Sequence, residues 1–238
     1  MHWCIQVYVI RMYEVPSYDD RSVINSIDMI LQDKEGGRIH CSIPKKLMST
    51  WGPIIKEFNM YNMRNFVIMD KRPKVRATQI RWTLTFCNRI EVEEVDLPTF
   101  PLEPFSFCTI LEILNPAVVT KTELFGRKNN MCCVLFGSCV DEITPLVTKD
   151  KVEPLIVVLQ FFRVNRWDGK TSIQSHFDIS KVCSDASLSA IVEFRNRQSS
   201  ERKWPERARG TEGSQQNLEG QIWSLCVRIT EAIVSHSE

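Results

Sequence analysis

The residue types that carry reaction chemistry are present in this chain, but not at spacings that let them act together. Nine cysteines and four histidines are scattered through 238 residues. No Cys-x-x-Cys pair occurs. Cys132 and Cys133, being adjacent, fall on opposite faces of any strand, so neither a zinc ribbon nor a shared ligand pair is expected. The histidines (His2, His40, His176 and His236) stand in no useful register with acids, and Asp19-Asp20 sits in a polar run that reads as a turn. There is no Walker-type phosphate loop, no Gly-x-Ser-x-Gly elbow and no His-Glu-x-x-His. The expectation is a protein that is not an enzyme and takes no metal or cofactor.

Composition narrows the class further. A hydrophobic share of 43% suits a folded protein and is too high for general disorder. The formal net charge is +1, so any basic surface must be local and bulk charge does not argue for nucleic acid. The cysteines lie in apolar contexts without framework spacing and read as free thiols of a reducing compartment. The opening MHWCIQVYVIRMYEV is interrupted by Gln6 and Arg11 and has no small-residue cleavage site, so no signal peptide is expected. No run of eighteen apolar residues suggests a membrane span, and a soluble intracellular protein is expected.

The elements that must position any site follow from periodicity. Residues 3–15 alternate, with Trp3, Ile5, Val7 and Val9 on one face and Cys4, Gln6 and Tyr8 on the other, which predicts a strand. Ile27, Met29 and Leu31 continue in the same way. The run Asp33-Lys34-Glu35-Gly36-Gly37 is turn chemistry before a strand from Arg38 to Ile43. Leu47, Met48, Trp51, Ile54, Ile55 and Phe58 recur at three and four, predicting a helix broken at Gly52-Pro53. Strands are then expected at about 60–69 and 74–88, the second with Ile80, Trp82, Leu84 and Phe86 on one face. Three strands, a helix and two strands is the order of the five-stranded OB barrel.

Residues 93–106 carry three prolines and no clean period, which suits an inter-domain linker. The grammar then repeats. A strand is expected from Met131 to Phe136, a short helix through Val140, Ile143 and Leu146 ending near Pro145, and an apolar strand from Pro154 to Val164. A hairpin connection over 165–170 and a return strand from Thr171 to Val182 complete it. From residue 198 the composition turns polar and basic, predicting a flexible tail. Leu218, Ile222, Leu225 and Ile229 within it suggest a short amphipathic helix. The chain is therefore read as all-β: a first OB domain over 2–96, a linker over 97–106, a second and shortened OB domain over 107–197, and a tail over 198–238.

The segments WCIQVYVIR, IDMILQDKEGGRIHCSI and WTLTFCNRI, followed by MCCVLFGSCVDEI, PLIVVLQFFRVNRWDGKTSIQS and VEFRNR, resemble the large subunit of replication protein A, in particular its divergent plant paralogues. The resemblance covers roughly residues 3–197. It implies a nuclear, non-catalytic binder of single-stranded DNA acting in replication, repair or recombination, with RNA left open and other replication protein A subunits as further partners. The family's zinc-bearing trimerisation domain has no counterpart in this sequence.

In that family bases stack on two aromatic side chains per module, positions that fall here on Phe136 and Trp167 of the second module. Phe136 shares a strand face with Cys132 and Val134, opposite Leu135, and Trp167 stands in a polar turn beside Arg166 and Lys170, where an aromatic has no core to fill. In the first module the matching positions, Ile43 and Val75, cannot stack. That module is left with charge: Lys45, Lys46, Arg64, Lys71, Arg72, Lys74 and Arg76 as phosphate-contact candidates, beside Arg163, Arg166 and Lys170 in the second. The second module is also too short at its start, so its barrel either lacks a first strand or recruits residues 107–114 for it. Two other readings stay open: an OB protein-interaction module, and a decayed paralogue with little binding.

Overall fold

The computed structural model describes residues 4–70, 77–78, 80–96, 107–108, 131–148, 156–167, 170–184, 191–192, 195–196, 211–216, 222–229 and 233–235. The chain divides into two units, Met1–Pro104 with Ser237–Glu238, and Phe105–His236. The architecture is mostly β, with helices at Lys45–Trp51 and Ser138–Thr148 and helical residues at 191–192 and 195–196.

The first unit runs β1 (Cys4–Pro16), β2 (Ile24–Gln32), β3 (Arg38–Pro44), α1 (Lys45–Trp51), β4 (Met60–Arg64), β5 (Val67–Met69), β6 (Thr83–Thr85) and β7 (Glu91–Val95). Its early strands obey the alternation: Val7, Val9, Ile27, Met29, Leu31, Cys41 and Ile43 share one core. Between Val9 and Arg11 the β1–β2 register slips. Such a bulge turns over the positions beyond it. Met12 therefore packs on the core, and Arg11 instead meets Glu57 at 2.6 Å. At the β2–β3 turn the carboxylate of Asp33 accepts the backbone N–H of Glu35 and Gly37 at 3.0 and 2.7 Å, while Gly36 takes a φ of 86° that favours glycine.

The strand order is β5-β6-β3-β2-β1-β4-β7, with β3 and β6 parallel. Only Asn65 and Phe66 separate β4 from β5 in the chain, yet the two lie far apart in that order. The sheet must therefore curl to let one short connection join them. Asn65 makes the bend with a φ of 59°, a conformation asparagine tolerates better than most residues.

Two expectations here need correction. The break expected at Gly52-Pro53 is where α1 ends: the helix stops at Trp51, and the correction is only that no second helical stretch follows to Phe58. A Cβ on Gly52 would stand 2.7 Å from the Met48 carbonyl oxygen and 3.1 Å from Ile27, and Pro53 follows it. Of the residues beyond, Ile55 is buried, whereas Ile54 and Phe58 are exposed. Of the strand expected over 74–88, the described residues are paired in the sheet only at Thr83–Thr85. Leu84 and Phe86 keep the core face, but Ile80 and Trp82 lie outside the pairing and are 44% and 43% exposed.

The second unit contains β8 (Phe107–Cys108), β9 (Met131–Phe136), α2 (Ser138–Thr148), β10 (Val158–Gln160), β11 (Arg163–Trp167), β12 (Lys170–Gln174), β13 (Lys181–Cys183), β14 (Thr211–Gln216), β15 (Ile222–Ile229) and β16 (Ile233–Ser235). From β9 to β13 it repeats the first unit from β3 to β7. β9 and β12 are parallel as β3 and β6 are, β11–β12 matches β5–β6, and β10–β13 matches β4–β7. The apolar strand expected from Pro154 to Val164 breaks at Phe161, whose φ of 58° followed by Phe162 reproduces Asn65 followed by Phe66. α2 does not end at Pro145 but continues to Thr148, with Cys139, Val140 and Ile143 buried and Leu146 packed on the same core. Packing of Leu146 beyond the proline offsets the missing backbone donor.

The tail is the largest correction. Where a flexible segment with an amphipathic helix was expected, the described residues form β14, β15 and β16. β15 alternates Trp223, Leu225, Val227 and Ile229 with Ile222, Ser224, Cys226 and Arg228, rich in β-branched and aromatic residues, and a period of two fits it better than one near 3.6. β15 pairs antiparallel with β9, the place β2 holds beside β3. β16 lies beside β10 as β1 lies beside β4, though parallel, and β8 pairs with β16. Among the described residues, β15 and β16 thus take in the second unit the places that β2 and β1 hold in the first.

Candidate nucleic-acid interface

In the second unit β9 sorts its residues by face. Cys133 and Leu135 are buried in the core, and Cys132, Val134 and Phe136 form the other row, partly exposed. Immediately after Phe136 the chain turns at Gly137 with a φ of 57°; a Cβ there would lie 3.3 Å from the Phe177 ring. Glycine thus gives both the turn and the close approach. Phe177 stacks on Phe136, ring centroids 5.1 Å apart at 30°, and remains 46% exposed.

The loop that carries Phe177 is tied by its own polar side chains. Ser175 Oγ accepts the Phe136 N–H at 2.7 Å, Ser180 Oγ accepts the His176 N–H at 2.8 Å and donates to the Phe161 carbonyl at 2.7 Å. The Asp178 N–H reaches His176 Nδ1 at 3.3 Å.

Register places the expected cations relative to this pair. Arg163 pairs with Gln174, and Gln174 with Val134, so the exposed Arg163 stands on the outer row with Phe136. Two strand spacings of about 4.8 Å put it roughly 10 Å across from β9. Arg166 falls on the opposite row with Val164, which packs on the core, and is exposed because β11 is the sheet's edge. Trp167 pairs with Lys170 as the last rung of the hairpin. Trp167 is thus a strand residue, not part of a polar turn, and lies at the far end from Phe136, roughly 20 Å away at about 3.3 Å per residue.

In the first unit Ile43 is fully buried, and Val75 lies outside the described residues, as do Lys71, Arg72, Lys74 and Arg76. Lys45 and Lys46 are exposed at the start of α1. Arg64 is exposed but faces acids. Its pKa is raised first by its interaction with Cys4, to whose Sγ it hydrogen-bonds at 3.4 Å, and then by the carboxylates of Glu91 and Glu93. That neighbourhood competes with any phosphate. The buried Cys41 thiol is pushed up by burial and, after it, by Asp28.

Three aromatic positions escape a reading of the sequence. Phe177 is the lone aromatic of a polar run, Gln174-Ser175-His176-Phe177-Asp178, and that isolation is its signal. Trp82 has the Arg81 guanidinium 4.5 Å over its ring, with Arg81 held by Asp70 at 2.8 Å, yet its phase with Leu84 makes it look like core. Tyr18, in the β1–β2 connection, is 85% exposed.

These sheets, curled around a parallel pair and repeated along the chain, define the class: a β protein of two related units. Residues 1–115 match the sequence family described as "Domain of unknown function DUF223". No curated protein matches the chain. Among solved structures it is similar to one described as "Structure and Conformational Change of a Replication Protein A Heterotrimer Bound to ssDNA", with a TM-score of 0.55 and 13% identity over 84% of this chain and 52% of that one. The chain therefore spans about half the length of this relative, and at that identity the likeness is one of fold. "Structure of murine DNA binding protein bound with ds DNA" matches at 9% identity over 78% of this chain and 100% of that one, with a TM-score of 0.33 that does not speak for a shared fold.

Proposed function

We propose that this chain is a non-catalytic binder of single-stranded nucleic acid, built on two tandem OB modules of the replication protein A type. The observation that carries it is the outer row of the second sheet, where an exposed aromatic stack, Phe136 with Phe177, shares a face with the exposed cation Arg163. Stacking platforms beside phosphate-neutralising charge are the two components such binding needs. The first unit adds exposed aromatics, Tyr18 and Trp82, in the two connections that bind oligonucleotides in OB barrels. The fold likeness to a replication protein A complex described as bound to single-stranded DNA supports this reading. Single-stranded DNA is the proposed ligand, with RNA to be compared. A nuclear role in replication, repair or recombination, and assembly with further subunits, belong to the same proposal.

The test is a titration of labelled single-stranded DNA, RNA and duplex across a range of salt. Three to five phosphate contacts give a log–log slope of about −2 to −3.5, at roughly −0.7 per phosphate. An affinity that ignores salt, or no shift at all, removes the proposal. A second reading is favoured by β5. It stands at the end of its sheet order, and its residues Val67, Ile68 and Met69 are 45%, 53% and 47% exposed. An open apolar strand edge suits addition of a partner's strand. Absence of nucleic-acid binding together with peptide capture at β5 would favour that reading.

A further inference from the structure

We infer that Asp70 tunes the first unit's hold on nucleic acid by competing with the ligand's phosphates for Arg81, the cation that lies over the Trp82 ring. This rests on the proposed binding function and deepens it.

The three side chains meet where the β5–β6 ladder ends. Met69 opposite Thr83 is its last rung, so Asp70 and Trp82 are the first residues past it on the two strands. Arg81 follows. Its Nη2 donates to Asp70 Oδ2 at 2.8 Å, while its guanidinium carbon stands 4.5 Å from the centroid of the Trp82 ring. The carboxylate therefore takes guanidinium hydrogen bonds that a phosphate would use. The guanidinium in turn covers a face of the ring on which a base would stack. A strand that is to use Arg81 must replace Asp70, and one that is to stack on that face must move Arg81.

Stability does not account for an acid at this place. The side chains of Arg81 and Asp70 are 57% and 41% exposed, and an ion pair in water adds little to folding. The surrounding sequence is otherwise cationic. From residue 70 to residue 82 it carries Lys71, Arg72, Lys74, Arg76 and Arg81 against one acid, Asp70, and that acid is paired with the cation over the ring. Carboxylate and phosphate present the guanidinium with the same kind of charged oxygen acceptor, so one can take the other's place without new geometry. Asp70 thus withholds one cation from the strand until a phosphate comes within hydrogen-bond reach of it.

The experiment is a double-mutant cycle on the full chain, titrated with a labelled single-stranded oligonucleotide at several salt concentrations. Asp70→Asn should raise affinity about 1.5- to 5-fold, the worth of one exposed ion pair. The gain should shrink as salt rises, because salt screens the pair that the substitution removes. Arg81→Gln should weaken binding and make the log–log slope shallower by about 0.7, for one phosphate fewer. In the Arg81→Gln background Asp70→Asn should gain little, since no guanidinium is left to release. Both single variants should melt as the unaltered chain does. Equal or weaker binding by Asp70→Asn at low salt overturns the inference, and weaker binding would make Asp70 a support for Arg81 rather than its competitor. A salt slope that Arg81→Gln leaves unchanged overturns it too. So does an Asp70→Asn gain as large without Arg81 as with it, because that is plain repulsion between a carboxylate and the strand. Failure of the unaltered chain to bind any single strand would instead remove the parent proposal, and this inference with it.

Discussion

Leu135 and Phe136 are chain neighbours placed in opposite environments, the first 2% exposed inside the second core, the second on the outer row against Phe177. Their truncations should therefore separate. Leu135→Ala removes a buried side chain from a packed cluster and should cost about 2–5 kcal/mol of stability. Phe136→Ala loses mainly one aromatic pair, about 0.5–1.5 kcal/mol. Thermal melts of the two variants check this, and a silent Leu135→Ala beside a melted Phe136→Ala would invert the face assignment. This pair was legible in the sequence because a period of two fixes faces within one strand. Phe177 was not, because its contact with Phe136 crosses forty residues of chain and depends on a positive φ at Gly137 that no alternation records. Trp82 misled for the opposite reason: it keeps phase with Leu84 and Phe86, but the pairing that would bury it stops at Thr83.

At the level of elements, the strands that run without a break, β1 to β3, were readable almost to the residue. Those that bend were not. Asn65 and Phe161 each switch one residue into left-handed backbone and send the chain from one part of the curled sheet to another, yet hydrophobic pattern passes straight through both. Phe161 is the costlier case, since a bulky residue there is strained by about 1–2 kcal/mol and is retained while its ring is buried at 6% exposure. β15 was missed because Ile222, Leu225 and Ile229 satisfy a helical spacing, while Leu225 and Ile229 equally fit an alternation with Trp223 and Val227 that places Ile222 on the other face. The choice is made by its neighbours: β15 lies between β9 and β14, with Leu225 opposite Leu135 and Val227 opposite Cys133. A proline in so central a strand removes a ladder donor. Cys226→Pro should destabilise the second unit by at least the roughly 1–3 kcal/mol of one unsatisfied buried group. Amide exchange gives the sharper reading. Protection of β9 should drop while β1 to β3 stay protected, and unchanged exchange in β9 would mean that β15 does not complete this sheet in solution.

Across the whole molecule, one run of elements, strand–helix–two half-strands–return strand–edge strand, occurs twice with the same pairings. Among the described residues the two copies differ in the strands beside them, N-terminal β1 and β2 in the first and C-terminal β16 and β15 in the second. That makes the first unit the simpler experiment. Every residue of its core cluster, from Ile5 to Val92, lies within its own sequence, so a fragment of residues 1–96 should fold and unfold cooperatively without the rest. Its binding should be weaker than that of the whole chain. It keeps Lys45 and Lys46 as exposed cations, and Trp82 with Arg81 over its ring, but lacks the Phe136–Phe177 stack and Arg163. Fewer neutralised phosphates also mean a shallower salt slope, by about 0.7 for each phosphate that the fragment leaves unneutralised. Within the fragment Trp82→Ala should remove most of the remaining affinity, about 1–3 kcal/mol for one stacking residue, and leave the melt unaltered because the ring is already 43% exposed. The measurement is a paired titration and melt of the fragment, its Trp82→Ala variant and the full chain at two salt concentrations. Should the fragment match the full chain in affinity and slope, the second unit would contribute nothing to binding, and the site assigned to its outer face would be in the wrong module.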